Sequence, residues 1–348
     1  TISDVKAIDK FTVQILTSKP NPILLNQLSN IFIMSKKWCQ ENFAIVPQNW
    51  DAGQETISAT KALGTGPFRI TLREPNTKTV FKKNMHWWGE MKDKKVTEIN
   101  LLPIKNAATR VAALLSGEID LVTDAPVQDL ARINSSSGHK VESTAQMRTI
   151  FLGMDQSVDQ LRTGNTGDNP FKKKEVRQAL YQAIDIDAIK KKVMRGLSEP
   201  AGIITFPGVN GYTTDLDKRL PYDVNAAKKL LADAGYPNGF DVELRCPNDR
   251  YVNDEAICTA VVGMLGKIGV NVNLFAQTKS KHFKELKDDQ GDFYMLGWGV
   301  PTLDSHYVFH YLYETGASWN KVNFSNADVD SAIRVMEGEV DLDKRNAA

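Results

Sequence analysis

Residues Asn106 to Pro126, NAATRVAALLSGEIDLVTDAP, constrain the fold more than any other stretch. Ala107, Val111, Leu114 and Leu115 recur at i, i+4, i+7 and i+8, which places one apolar stripe on a helix facing a core. Asn106 is placed to cap the helix start, and Gly117 sits where a helix closes through a left-handed residue. Glu118-Ile119-Asp120-Leu121-Val122 then alternates as a half-buried strand does, and Pro126 stops it. The spacing predicts a short helix that returns a strand to a sheet, a unit any α/β domain can contain.

The same helix-and-strand vocabulary runs through the chain. Phe11, Val13 and Ile15 alternate as a strand, and Pro20 and Pro22 break it. Ile23 to Phe32 reads as a short helix. Asn49 to Leu63 is polar and loop-like. Strands are expected over Phe68–Leu72, from Thr79 to Lys82 and from Val96 to Ile104, so that 64–126 forms a small unit with a mixed sheet. Val141 to Asp155 is apolar at Ile150, Leu152 and Met154. Gln156 to Asn169 is rich in Gly, Asp, Asn and Thr and reads as a loop.

Beyond Asn169 the periods lengthen. Val176, Leu180, Ala183 and Ile184 form one helical stripe, and Asp187 starts a second helix toward Gly196. Helices follow at Asn225–Ala234, closed by Gly235, at Ile257–Ile268, closed by Gly269, and around Phe283–Leu286. Strands separate them at Phe240–Leu244, Val270–Leu274 and Asp292–Trp298. This alternation predicts a second α/β lobe with parallel pairing. The division expected is 1–45 as the end of an N-terminal subdomain, 46–154 as part of a first lobe and 155–348 as the second lobe.

Three motifs and two longer segments carry a resemblance to a known family. Gly64-Thr65-Gly66-Pro67-Phe68, Asn84-Met85-His86-Trp87-Trp88-Gly89 and Ala108 to Asp120 follow one another in order. Pro170-Phe171 with Val176 to Leu180 and Ala183-Ile184-Asp185, and Tyr222-Asp223 through Ala234-Gly235-Tyr236-Pro237 to Gly239-Phe240, extend the match over nearly the whole chain. The set resembles the extracytoplasmic solute-binding proteins of ABC importers, family 5, which carry oligopeptides, dipeptides and nickel complexes. The resemblance implies a two-lobed periplasmic-binding-protein-like fold of the large type II class, with mixed sheets and a hinge. It implies a chain truncated at both ends, because the family has further segments before Val5 and after Arg345, and hence exposed sheet edges in the first lobe.

Bulk properties agree with a globular binding protein and exclude other classes. Of the 348 residues 42% are apolar and 24% charged, and the net charge is +1. The densest basic run, Lys172 to Arg177, lies at a helix start and reads as a solvated face, so no nucleic-acid partner is expected. No apolar run is long enough to span a bilayer. Cys246 and Cys258 can pair, leaving Cys39 free. Three unpaired thiols fit the count as well and are the default expectation.

No enzyme signature is present. HExxH, CxxC, GxSxG and P-loop patterns are missing, and Gly64-Thr65-Gly66 lacks the spacing of a dinucleotide loop. A hydrolase on an α/β scaffold would need a nucleophile–base pair that the sequence does not show. His306 and His310 are one helical turn apart, as metal ligands are, with Asp304 as a third oxygen ligand. The default expectation is an aromatic helix, Tyr307, Phe309 and Tyr311, that carries its histidines incidentally. The reading assigns no cofactor, no catalytic residue and no metal, and keeps a nickel-type chelate carrier as an alternative.

Binding has better candidates. Gly297-Trp298-Gly299 ends a strand, and glycines beside an indole let a ligand or backbone come close. In the family this strand end lines the interlobe cleft, and an aspartate three residues after the tryptophan takes a peptide's α-amino group. Here that position is Pro301, while Asp304 stands at the second aspartate of the pattern. The family's other cleft strand corresponds to Ala145–Phe151. Alternation there puts Gln146 and Arg148 on one face, and Arg148 offers a planar donor fork for a carboxylate or phosphate. The expected ligand-binding set is therefore Trp298, Asp304, Arg148, Gln146, Gly297 and Gly299. Trp87 and Trp88 are expected in the core of the first lobe. The resemblance further implies a monomer outside the cytoplasmic membrane that takes a peptide or small solute and delivers it to membrane permease subunits.

Overall fold

A computed structural model of the chain describes residues 2–46, 57–90 and 95–348. The chain divides into two compact units, one formed by Thr1–Asn30 with Pro126–Ala348 and the other by Ile31–Ala125. The loop expected over Asn49–Leu63 falls largely outside the described residues. Its last part contains one helical turn, Ile57–Thr60.

The larger unit begins with a hairpin of β1 (Ile2–Ala7) and β2 (Val13–Thr17), where the sequence pattern had suggested one strand. The smaller unit holds β3 (Phe68–Glu74), β4 (Lys78–Lys83) and β5 (Glu98–Leu101), paired antiparallel throughout rather than as a mixed sheet. Two of its sequence motifs are joined by one side chain. Asn84 is buried, donates from Nδ2 to the Gly66 carbonyl at 2.9 Å, and donates its backbone N–H to Pro67 at 2.7 Å. The Gly-Thr-Gly-Pro turn thus supplies the carbonyls that the asparagine closes. Trp88, expected in the core, is 86% exposed.

The helix at Ala107–Ser116 is as its spacing demands. Asn106 Oδ1 accepts the Thr109 N–H at 2.9 Å, and Gly117 takes φ 78°, where a side chain would be strained. The strand expected after it does not form. The amides of Glu118 and Ile119 turn back to the Ala113 carbonyl, at 2.9 and 3.3 Å, and so close the helix instead of entering a sheet. Leu121 is left 78% exposed. Arg110 fastens this helix to both flanks, donating to the carbonyls of Ile104, Lys105 and Asp124.

The principal sheet has four strands, β6 (Arg148–Met154), β7 (Asp241–Pro247), β8 (Asn271–Gln277) and β9 (Phe293–Gly299), in the order β6-β9-β7-β8. The β7–β8 and β7–β9 pairs are parallel and the β6–β9 pair is antiparallel. β9 is covered on both faces, which explains its unbroken apolar run FYMLGW. Helices Asp254–Gly266 and Lys279–Lys287 make the β7-to-β8 and β8-to-β9 connections. The core lies where helices Lys174–Ala183, Val224–Asp233 and Asp254–Gly266 meet this sheet, around Leu180, Leu231, Leu244, Leu265 and Phe293. Truncating any one of these leucines to alanine is a change of about 2–5 kcal/mol. Gly239, at φ 74°, marks the entry to β7; a Cβ there would run into the Gly269 carbonyl before β8, so only glycine lets the two strands start side by side.

Cys246 and Cys258 are joined as a disulfide between the end of β7 and helix Asp254–Gly266, correcting the default of three free thiols; Cys39 is unpaired. The polar loop between β6 and the helical region is held by charge. Arg162 donates to Asp155 at 2.9 Å and to Asp292 at 2.5 Å, and buried Asn169 donates to the Asp155 and Val158 carbonyls.

Candidate functional site

The Arg148–Trp298 end of the β6–β9 pair gathers most of the sequence-selected residues, but on two faces. In the register Arg148 lies opposite Gly299, Thr149 opposite Trp298 and Ile150 opposite Gly297. Side chains alternate along a strand, so Arg148 and Ile150 share a face with the two glycines, while Trp298 projects from the other. The packing follows this division. Ile150 and Tyr251 lie against the main core, and Phe151 and Trp298 against the two smaller clusters.

On the first face Gly297 is enclosed by Tyr251. Its N–H donates to the tyrosine hydroxyl at 2.8 Å, and a Cβ at 297 would come within 2.7 Å of the ring and 2.5 Å of Ile150 Cδ1. Gly299 backs onto the Met147 carbonyl, 3.2 Å from where its Cβ would stand. Both glycines therefore admit the protein's own groups. The Tyr251 ring carries two cations, Arg148 at 5.8 Å and Arg250 at 5.1 Å from the ring centre.

Arg148 is half-buried, and its Nη1 reaches only the Gly297 carbonyl at 3.5 Å while Nε is buried without a hydrogen-bond partner. Among the described residues it forms no ion pair with a carboxylate. Burial first, and then the neighbouring Arg250, lower its pKa, yet a guanidinium keeps its proton at any physiological pH. The arrangement is a donor fork whose complement is an anion. Gln146 precedes β6, is exposed, and accepts the Arg148 N–H on its carbonyl at 2.8 Å.

On the second face the Trp298 indole packs 5.9 Å from each of Tyr307, Tyr311 and Trp319, and its Nε1 is buried without a partner. Asp304 is placed differently from the sequence expectation. It is 3% exposed, and Arg345 grips its carboxylate through both terminal nitrogens at 2.6 and 2.7 Å. Asn210 and the His306 N–H fill the remaining lone pairs. This carboxylate is committed to the fold, and is available neither as a ligand anchor nor as the third oxygen beside the histidines. Sequence reasoning missed Arg250 and Tyr251, which follow the carboxyl end of parallel strand β7; that position is where open α/β sheets hold ligands, and it was the available signal.

His306 and His310 stack with centres 5.4 Å apart, and the carboxylate that joins them is Glu337 from helix Ala327–Gly338. Burial foremost, then His310, push the His306 pKa down to about 4, so its ring is neutral.

Known proteins match the whole of this frame. The model of the bacterial extracellular solute-binding proteins, family 5 middle, matches residues 1–320. The dipeptide-binding protein of Escherichia coli K12 is 26% identical over 330 residues, covering 93% of this chain and 58% of its own. The structure of the ABC transporter-associated periplasmic binding protein DppA from Helicobacter pylori, in complex with peptide STSA, superposes at a TM-score of 0.81 and 22% identity, covering 99% of this chain and 64% of that one. The binding protein AgaA of A. tumefaciens R10, in complex with agropinic acid, gives 0.72 and 25% over 99% and 67%. The chain thus spans under two thirds of the length of the dipeptide-binding relative.

Proposed function

The chain belongs to the bacterial extracellular solute-binding proteins of family 5, and on that premise we propose that it captures a peptide or a related amino-acid derivative bearing a carboxylate and delivers it to the permease of an ABC importer. The family consists of transport binding proteins rather than enzymes; here too no bond is made or broken. Capture is by closure of the two lobes around the solute, which shifts an open–closed equilibrium because the ligand touches more protein in the closed form. The permease reads the closed form. The protein works as a monomer outside the cytoplasmic membrane. The Cys246–Cys258 disulfide supports that location, since such bonds persist in oxidising compartments.

The observation that carries the ligand class is Arg148, a half-buried guanidinium without a carboxylate partner among the described residues, beside Arg250 and against Tyr251. Trp298 offers an apolar edge on the other face of the same strand end. The relatives solved with a peptide and with agropinic acid support the same chemistry, one ligand being a peptide and the other an organic acid.

Calorimetry on the full-length protein tests this with di- and tetrapeptides and their C-terminal amides. Arg148→Met should weaken carboxylate ligands by about ten- to a hundredfold, the size of a hydrogen bond to a charged group, and leave the weaker amides unchanged. Equal affinity for acid and amide, or an unaffected variant, would overturn the assignment of Arg148.

A further inference from the structure

We propose that His306, His310 and Glu337 form a binding site for a single divalent transition-metal ion of the zinc class, entered by displacing the Lys19 ammonium from Glu337. The three side chains each bring one ligand atom within 4.8 Å of the other two. Two ligands on one tetrahedral zinc stand about 3.3 Å apart, given bonds of about 2.0–2.1 Å. Small side-chain rotations close that difference.

Three features mark the cluster as more than a chance meeting. His306 is 6% exposed, and its Nε2 is buried without any hydrogen-bond partner, an uncommon state for a polar atom. His310 stacks on His306, and its Nδ1 is likewise buried without a hydrogen-bond partner, although the Glu314 carboxylate stands 2.6 Å away. Both His306 and Glu337 line a cavity of about 40 Å³ with Lys19, Asn21 and Gln27, which has room for an ion and a water.

Lys19 occupies the place of the cation. Its Nζ lies 2.6 Å from Glu337 Oε2, yet its side chain is half exposed and can swing into solvent. That ion pair is what holds the Glu337 carboxyl below its ordinary range. An ion here would tie helices His306–Leu312 and Ala327–Gly338 together with no organic chelator. It is a resident ion and not cargo, and it is independent of the solute reading.

The test is zinc titration of the full-length, EDTA-treated protein by competition calorimetry, with cobalt(II) as a spectroscopic probe. One ion per protein is expected, with tetrahedral cobalt bands and a thermal midpoint that rises with free zinc. Glu337→Gln and His310→Ala should each weaken binding roughly tenfold or more, and Lys19→Ala should tighten it severalfold by removing the competing ammonium. Absence of binding to the wild type, or variants at 337 and 310 that bind as the wild type does, would overturn the site. An affinity unmoved by Lys19→Ala would overturn the displacement.

Discussion

Asp304 and Arg345 face one another through two hydrogen bonds of 2.6 and 2.7 Å, and both side chains are nearly excluded from solvent. The pair locks the loop after β9 to the helix Leu342–Ala347. Burial pushes the Asp304 carboxyl upward, but Arg345, the His306 N–H and Asn210 outweigh it and hold the group below the usual carboxylate range. Arg345→Met should therefore destabilise by about 3–5 kcal/mol, because it strands a buried charge. In urea melts the Asp304→Asn, Arg345→Met double variant should lose less than the sum of the singles; strict additivity would show that the two are not coupled. A depressed folded pKa contributes stability that is complete above the ordinary value of about 3.9 and fades as pH falls through the folded one. The difference between wild type and Asp304→Asn should then be constant near neutrality and shrink only in strong acid.

Trp298 is bound into an aromatic cluster, 5.9 Å from Tyr307, Tyr311 and Trp319. Trp298 is partly buried, so Trp298→Ala should lower stability by less than the ~3–5 kcal/mol of a fully buried aromatic, and Trp298→Phe by less again. Thermal unfolding followed by circular dichroism reads this directly. An unchanged midpoint for the alanine variant would make the indole a surface wall alone.

The Cys246–Cys258 bond closes a short loop, with a sequence separation of 12. Reduction, or the Cys246→Ser, Cys258→Ser variant, should cost about 3 kcal/mol, the chain-entropy figure for loops of about that length. Urea midpoints with and without dithiothreitol check it, and coincident curves would contradict it.

His282 is wholly buried and its Nε2 lies 2.9 Å from the Met295 carbonyl. Burial is foremost in pushing its pKa down. The unfolded chain takes up a proton near its ordinary pKa of about 6.5 that the folded chain refuses, so stability is complete above that pH and declines below it. His282→Gln should flatten the fall in thermal midpoint between about pH 7 and 5. An unaltered slope would show that other groups cause the decline.

The second α/β region was legible because two of its helices are closed by their own signals. Gly235 and Gly269 take positive φ where the stripes end, and β7 and β8 follow at once. Glu118–Val122 misled because alternation describes a solvated tail as well as a strand; only the bonds from Glu118 and Ile119 back to Ala113 decide between them. At the site, Trp298 was legible from its flanking glycines and Arg148 from the strand that the family resemblance marks. Arg345 and Glu337 were not, because their partners Asp304 and His306 stand 41 and 31 positions earlier in the chain, and no local period encodes such meetings.

One hydrogen atom at Gly297 sets the thickness of the floor beneath the Arg250–Tyr251 loop. A methyl group there would lift the Tyr251 ring, and the two guanidiniums that lean on it would shift with the ring. Position 297 can thus tune the spacing of positive charge without meeting any solute. Given the anion site proposed above, preference among anions of different length is adjustable from beneath it, and a Gly297→Ala variant would sort solutes differently while displaying the same arginines.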